Sequence, residues 1–152
     1  MKRKIIIFII FLIVSFTADA QKHTFYGTTG NSYSLAYELT LSDLDKEDQS
    51  TRIGLKINAG QGFRLTLFNE DESDYKTTYY GGGIFALFGK ERDVFELSGG
   101  LNYASRTKDA VDDGDYILLM ANVGYRREMG PIVLRTGLGL PELIYVSAGF
   151  TF

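Results

Sequence analysis

The sequence predicts an all-β fold, an antiparallel up-and-down barrel of about eight strands. Large apolar residues recur at every second position in one segment after another, the spacing of strands with one apolar and one polar face. Seventeen glycines against two prolines, with 14% aromatic residues, suit strands and tight turns better than helices. The links between the alternating segments run long, short, long, short, long, short, as in a barrel whose two ends differ.

Residues 1–20 stand apart. Lys2, Arg3 and Lys4 form a basic start, Ile5 to Phe16 an apolar core, and Ala18-Asp19-Ala20 a small-x-small cleavage site. That is the layout of a secretory signal peptide, and the apolar core is too short to anchor by spanning. Cleavage after Ala20 would start the mature chain at Gln21 and move the formal net charge from −3 to −5. Residues 21–152 then make one barrel domain. No cysteine is present, so neither a disulfide framework nor a thiolate metal site is available.

Gln21 to Asn31 holds Phe25 and Tyr26 beside Gly27 and Gly30 without a sustained period, and reads as a tail leading into the barrel. Tyr33, Leu35, Tyr37, Leu39 and Leu41 then alternate with Ser34, Ala36, Glu38 and Thr40. Ser42 to Gln49 is a polar, acidic loop. Ile53, Leu55, Ile57 and Ala59 alternate with Gly54, Lys56 and Asn58, and Gly60-Gln61-Gly62 reads as a tight turn. Phe63, Leu65 and Leu67 make a third strand, with Arg64 on its other face, before an acidic loop from Asn69 to Lys76.

Thr78 to Gly89 is a fourth strand whose faces cannot be assigned, because Gly81-Gly82-Gly83 blurs the pattern. After a short turn at Lys90 to Asp93, Phe95, Leu97, Gly99, Leu101 and Tyr103 oppose Glu96, Ser98, Gly100, Asn102 and Ala104. Thr107 to Asp115 is a third acidic loop. Ile117, Leu119, Ala121, Val123 and Tyr125 oppose Met120, Asn122, Gly124 and Arg126, and Glu128 to Pro131 turns the chain. Ile132, Leu134, Thr136 and Leu138 oppose Val133, Arg135, Gly137 and Gly139, and Pro141 breaks this strand before the last one.

Charge follows the same division. The three acidic loops together carry −9, which leaves +4 on the rest of the mature chain. Placed at one end, they would form an acidic outer surface, with the short turns and both termini on the periplasmic side. A soluble barrel that buries its apolar face inside is the alternative. Against it, the polar face is rich in Gly, Ala and Ser, which suit a crowded lumen better than a solvent surface. Aromatics also gather near strand ends, with Tyr33, Phe63, Phe95, Tyr125 and Phe152 at one rim and Tyr103 near the other.

The last stretch alternates Ile144, Val146, Ala148, Phe150 and Phe152 with Tyr145, Ser147, Gly149 and Thr151. A final strand that alternates and closes on Phe resembles that of bacterial outer-membrane β-barrels, and the architecture is similar to the OmpA/OmpX type. The resemblance implies that Val146, Ala148, Phe150 and Phe152 act as an assembly signal read by the barrel-assembly machinery. It also implies a chain surrounded by outer-membrane lipid and lipopolysaccharide; a monomer is expected, with no cofactor, and small barrels of this kind include enzymes, so activity has to be judged from the residues.

Parity points Glu38, Lys56, Arg64, Glu96, Arg126 and Arg135 into the lumen, mostly in the half nearer the termini. An eight-stranded barrel leaves an interior only wide enough for side chains to fill, so such charges must pair. Glu38 is expected beside Lys56 and Glu96 beside Arg126, with Arg64 and Arg135 in surplus. The charges then read as a structural plug in an envelope protein that presents acidic loops. A small-solute or ligand pore is the rival class, and conductance separates the two.

Catalysis finds little support. General acid–base and nucleophilic chemistry favour histidine, and the sole one, His23, lies in the predicted tail on the terminal side. Asp109, Asp112, Asp113 and Asp115 are oxygen ligands of the kind that hold Ca²⁺ or Mg²⁺, but their spacing is not that of an EF-hand loop. Solvated loop acids are the expected reading. No basic stripe for nucleic acid is present.

Overall fold

A computed structural model describes residues 22–46, 49–62, 76–90, 92–108 and 111–152; of 42–46, 49, 108 and 111–113 it describes the backbone alone. The described chain forms β1 (His23–Thr29), β2 (Ser32–Lys46), β3 (Gln49–Gly62), β4 (Lys76–Lys90), β5 (Asp93–Lys108), β6 (Val111–Met129), β7 (Ile132–Leu140) and β8 (Leu143–Thr151). Each strand pairs antiparallel with the next, and β1 pairs with β8 to close the barrel. At the seam, the His23 amide donates to the Phe152 carbonyl at 3.0 Å, and the Phe152 amide donates back at 2.9 Å. The end that carries this seam is called the near end below, and the opposite one the far end.

The alternation lands on the predicted faces. Leu35, Ile57, Leu101, Ile117, Ile144 and Phe150 all point outward, and Ile144 and Ile117 keep 67% and 65% of their surface exposed. A soluble barrel would place this face inside, since a continuous apolar band in water is unfavourable. A band of exposed aliphatic and aromatic residues around a closed wall is what hydrocarbon solvates, and a closed barrel leaves no backbone donor unpaired there. The fold is a transmembrane β-barrel.

Two sequence expectations are corrected, and a third lies beyond what the structure describes. The supposed tail is β1. Its large inward side chain Tyr26 and its outward Phe25, Gly27 and Thr29 leave no contrast between faces, so the period was hidden. Gly60-Gln61-Gly62 is no turn but the end of β3, paired with Ser32 to Ser34. Gly60 is small because the Tyr79 hydroxyl lies 2.6 Å from where a Cβ would stand. The expected third strand at Phe63 to Phe68, including Arg64, lies outside the described residues.

These shifts reassign the ends. Adding β1 moves the β2–β3 hairpin, with its acidic residues 42–49, to the near end beside the termini. The acidic stretch 107–115 belongs to the far end, so it does not share a surface with 42–49, and all of 69–76 but Lys76 lies outside the described residues. Most of Ser42 to Gln49 and Thr107 to Asp115 extends the paired strands as hairpin tips. Tyr33 likewise moves to the far rim with Tyr80 and Tyr103, whose rings sit 5.3 Å apart. Phe95, Tyr125 and Phe152 mark the near rim, and Phe63 lies outside the described residues.

The unassigned strand β4 carries large apolar residues on both faces. Tyr79, Phe85 and Leu87 point inward, while Tyr80, Ile84 and Phe88 point outward. Phe85 and Leu87 pack with Val94 in an apolar cluster inside the barrel. Room for the Phe85 ring comes from Gly54, where a Cβ would stand 2.5 Å from the ring tip.

Candidate functional site

The lumen is the place where chemistry-bearing side chains converge. Glu38, Lys56, Glu96, Arg126 and Arg135 are each at most 6% exposed, so parity placed all five described members of the expected set inside. Arg52, Glu128 and Glu142 join them. These eight charges balance, with Glu38, Glu96, Glu128 and Glu142 against Arg52, Lys56, Arg126 and Arg135.

The pairs run across the lumen more than along neighbouring strands. From β7, Arg135 donates Nε to Glu96 Oε2 on β5 at 2.7 Å, and its Nη2 donates to Glu96 Oε1 in a bidentate fork. Its Nη2 also stands 3.9 Å from Glu38 Oε1 on β2. Arg126 on β6 donates Nη1 to Glu38 Oε2 at 2.7 Å and Nη2 to Thr24 Oγ1 at 3.0 Å. Tyr26 completes the shell around Glu38 by donating its hydroxyl at 2.6 Å. The Arg135 guanidinium lies 3.9 Å above the Tyr26 ring, a stacked cation–π contact in a desolvated place.

Toward the near end, Arg52 Nη1 donates to both Glu128 oxygens at 2.9 Å. Arg126 Nε lies 3.0 Å from Glu128 Oε1, off the hydrogen-bond line. A chain of alternating charge thus leads from Arg52 through Glu128, Arg126, Glu38 and Arg135 to Glu96. Buried charges are tolerated when paired and hydrogen-bonded, and each of these is.

Two expected pairings fail. Glu38 and Lys56 are Cα partners across β2 and β3, yet Lys56 has no carboxylate within 4 Å among the described residues. Glu96 takes Arg135, expected to be surplus, and Arg126 takes Glu38. Register tells which residues are adjacent on the wall, whereas long side chains in a narrow barrel reach across it.

Two of the missed charges followed the same parity. Arg52 lies two residues before Gly54 and four before Lys56, and Glu128 lies two after Arg126. Glu128 was assigned to a turn and Arg52 to neither loop nor strand, although β3 and β6 extend through them. Glu142 carried no parity signal, because it sits in the turn between β7 and β8. There Oε1 accepts from Ser34 Oγ at 3.1 Å and from the Tyr79 hydroxyl at 3.3 Å.

Toward the far end the lumen changes character. Asn58, Asn102, Asn122 and Tyr145 line it, and Asn58 Oδ1, both amide atoms of Asn102, Asn122 Oδ1 and the Tyr145 hydroxyl find no partner within the described chain. The Tyr145 hydroxyl lies above Gly124 and Gly137, where any Cβ would collide with it. A lumenal cavity of about 10 Å³ is bordered by Lys56, Asn58, Asn122, Glu142 and Tyr145.

His23 is buried on the outer side of the near rim, which corrects the exposed tail expected for it. Its Nδ1 is 2.5 Å from the Tyr37 hydroxyl, and its ring stacks on Phe152 at 5.7 Å. It faces the seam and has no place in the lumen. Of the acidic cluster, Asp115 accepts from the Tyr103 hydroxyl. Asp109 and the side chains of Asp112 and Asp113 lie outside the described residues. Among those described, no group of His, Cys, Asp or Glu has the arrangement to hold a metal ion.

No protein-family model and no curated protein sequence matches this chain. Solved structures do. The Yersinia pestis outer membrane protein Ail in a phospholipid bilayer nanodisc is 12% identical with a TM-score of 0.49, covering 87% of this chain and 98% of that one. Neisserial surface protein A is 12% identical with a TM-score of 0.37, covering 86% and 90%. A de novo designed transmembrane β-barrel is 15% identical with a TM-score of 0.38, covering 86% and 93%. Identities this low leave function to be argued from the chain itself.

Proposed function

We propose that this chain is a non-enzymatic barrel of the bacterial outer membrane, closed to ions, that presents its far end at the cell surface. The observation that carries the reading is the bidentate Arg135–Glu96 pair with Glu38 and Arg126, which bridges facing walls of the lumen. A conducting path would need these groups to line a gap, whereas here they touch across it. The near-end links at 47–48, 91–92 and 130–131 are short, while the far end includes the stretch 63–75. Short periplasmic turns and longer outside loops are the rule for such barrels. The termini therefore belong in the periplasm, and the acidic stretches 69–76 and 107–115 face outward for surface contacts. Outer-membrane lipid and lipopolysaccharide surround the apolar belt, and the outward face of β8 (Val146, Ala148, Phe150 and Phe152) meets the assembly machinery.

Planar-bilayer recording of the purified protein tests closure. The expected trace is silent, and a steady ion-selective current would assign the charges to a path instead. Thiol labelling on intact cells tests orientation. Cysteines placed at Gln61 or Asp71 should react with an impermeant reagent, and those at Asp45 or Met129 should not. The reverse pattern would put the near end outside.

A further inference from the structure

Two buried charges stay out of the ion-pair chain. Lys56 is 6% exposed and has no carboxylate within 4 Å among the described residues. Its ammonium lies 5.6 Å from the Tyr26 ring centre, too far and too weakly placed to replace a full partner. Glu142 is 7% exposed and has no cation within 4 Å among the described residues. Both border the same cavity of about 10 Å³. An unpaired buried charge is costly, and the shared cavity is the place where these two could be connected.

The cavity has the size of a single water, which needs about 10–15 Å³ and two to four polar partners. Its border supplies those partners. Asn58 Oδ1, Asn122 Oδ1 and the Tyr145 hydroxyl all lack a partner among the described residues, and turning either amide over would leave its nitrogen in the same position. A water can donate toward Glu142 or an amide oxygen while accepting from the Lys56 ammonium. A cation would meet that ammonium, and an anion would meet the Glu142 carboxylate and the amide oxygens. Water alone suits both poles.

We propose that Lys56 and Glu142 form a water-bridged ion pair, and that this bridge latches the β7–β8 turn over the far mouth of the lumen. The turn has reason to need a latch. Leu143 holds φ at 61°, a left-handed conformation that is strained for a non-glycine residue. On the opposite side, the Asn31 amide donates to the Glu142 carbonyl at 3.2 Å, tying the β1–β2 turn to the same point. The inference rests on the barrel fold and is independent of any surface role.

The test uses the full mature chain folded in phospholipid nanodiscs. Water-selective NMR should show long-lived water beside the Asn58 and Asn122 side-chain amides, and Lys56→Met should remove it. In urea unfolding, Lys56→Met and Glu142→Gln should each lower the folding equilibrium constant about tenfold, with the double variant far short of a hundredfold loss. Fully additive losses, or no long-lived water at either amide, would overturn the bridge. Stabilisation of the parent by K⁺ or Ca²⁺ at constant ionic strength would overturn it too, by showing a cation site. If one variant fails to fold, the parent's water signal and cation titration still decide.

Discussion

The two halves of the lumen solve the same problem in opposite ways. Both are lined by polar side chains enclosed by a wall whose outer face is apolar. In the near half the groups are ionic and matched, as in the chain from Arg52 to Glu96, and the apolar cluster of Phe85, Leu87 and Val94 fills the remaining space. In the far half they are mainly neutral amides and hydroxyls, several without partners among the described residues. Arginine–carboxylate forks satisfy many lone pairs with one long side chain and can reach across a barrel. Asparagine is too short to do so, and several of its polar atoms stay unmet among the described residues. The near half should therefore be rigid and sensitive to truncation, and the far half tolerant of it.

The largest expected effect is in the near half. Glu96→Ala strands the buried Arg135 and should lower unfolding stability in lipid vesicles by about 3–5 kcal/mol. That loss should exceed the one from Lys56→Ala, which removes a charge without stranding a directly bonded partner; equal losses would erase the contrast. Glu128→Ala should cost less, about 1–3 kcal/mol, because Glu128 is 13% exposed, so the Arg52 it leaves behind lies close to water, and Arg126 keeps Glu38. The smallest effect belongs to the far half. Asn102 is fully buried with both amide atoms unpartnered, so Asn102→Ala should stay within about 1 kcal/mol of the parent. A loss of several kcal/mol there would mean that the far half is as tightly bonded as the near one.

The sequence disclosed the wall better than the contents. Alternation identified the faces of β2, β3 and β5 to β8, because an inside–outside contrast in polarity is written at every second residue. It failed at β1 and β4, where Tyr26, Tyr79 and Phe85 put bulky side chains inside and removed the contrast. Missing β1 exchanged the ends of the first two connections, which is why residues 42–49 and Gln61 were assigned to the wrong ends. The inward position of Lys56, Glu96 and Arg135 was legible from parity. Their partners were not, because tilt and stagger bring together residues from strands that do not pair. The Arg135–Glu96 bond spans β7 and β5, with β6 between them, and no local pattern encodes it.

A double-variant cycle on that bond bears most directly on the claim that matched pairs across the lumen brace the barrel. Glu96→Leu and Arg135→Met would be made singly and together, and urea unfolding would be followed in lipid vesicles. Each single variant should lose about 3–5 kcal/mol, and the double variant should lose less than either, since two apolar side chains of similar volume leave no stranded charge. Losses that simply add would show that the two residues act independently, and would contradict the account.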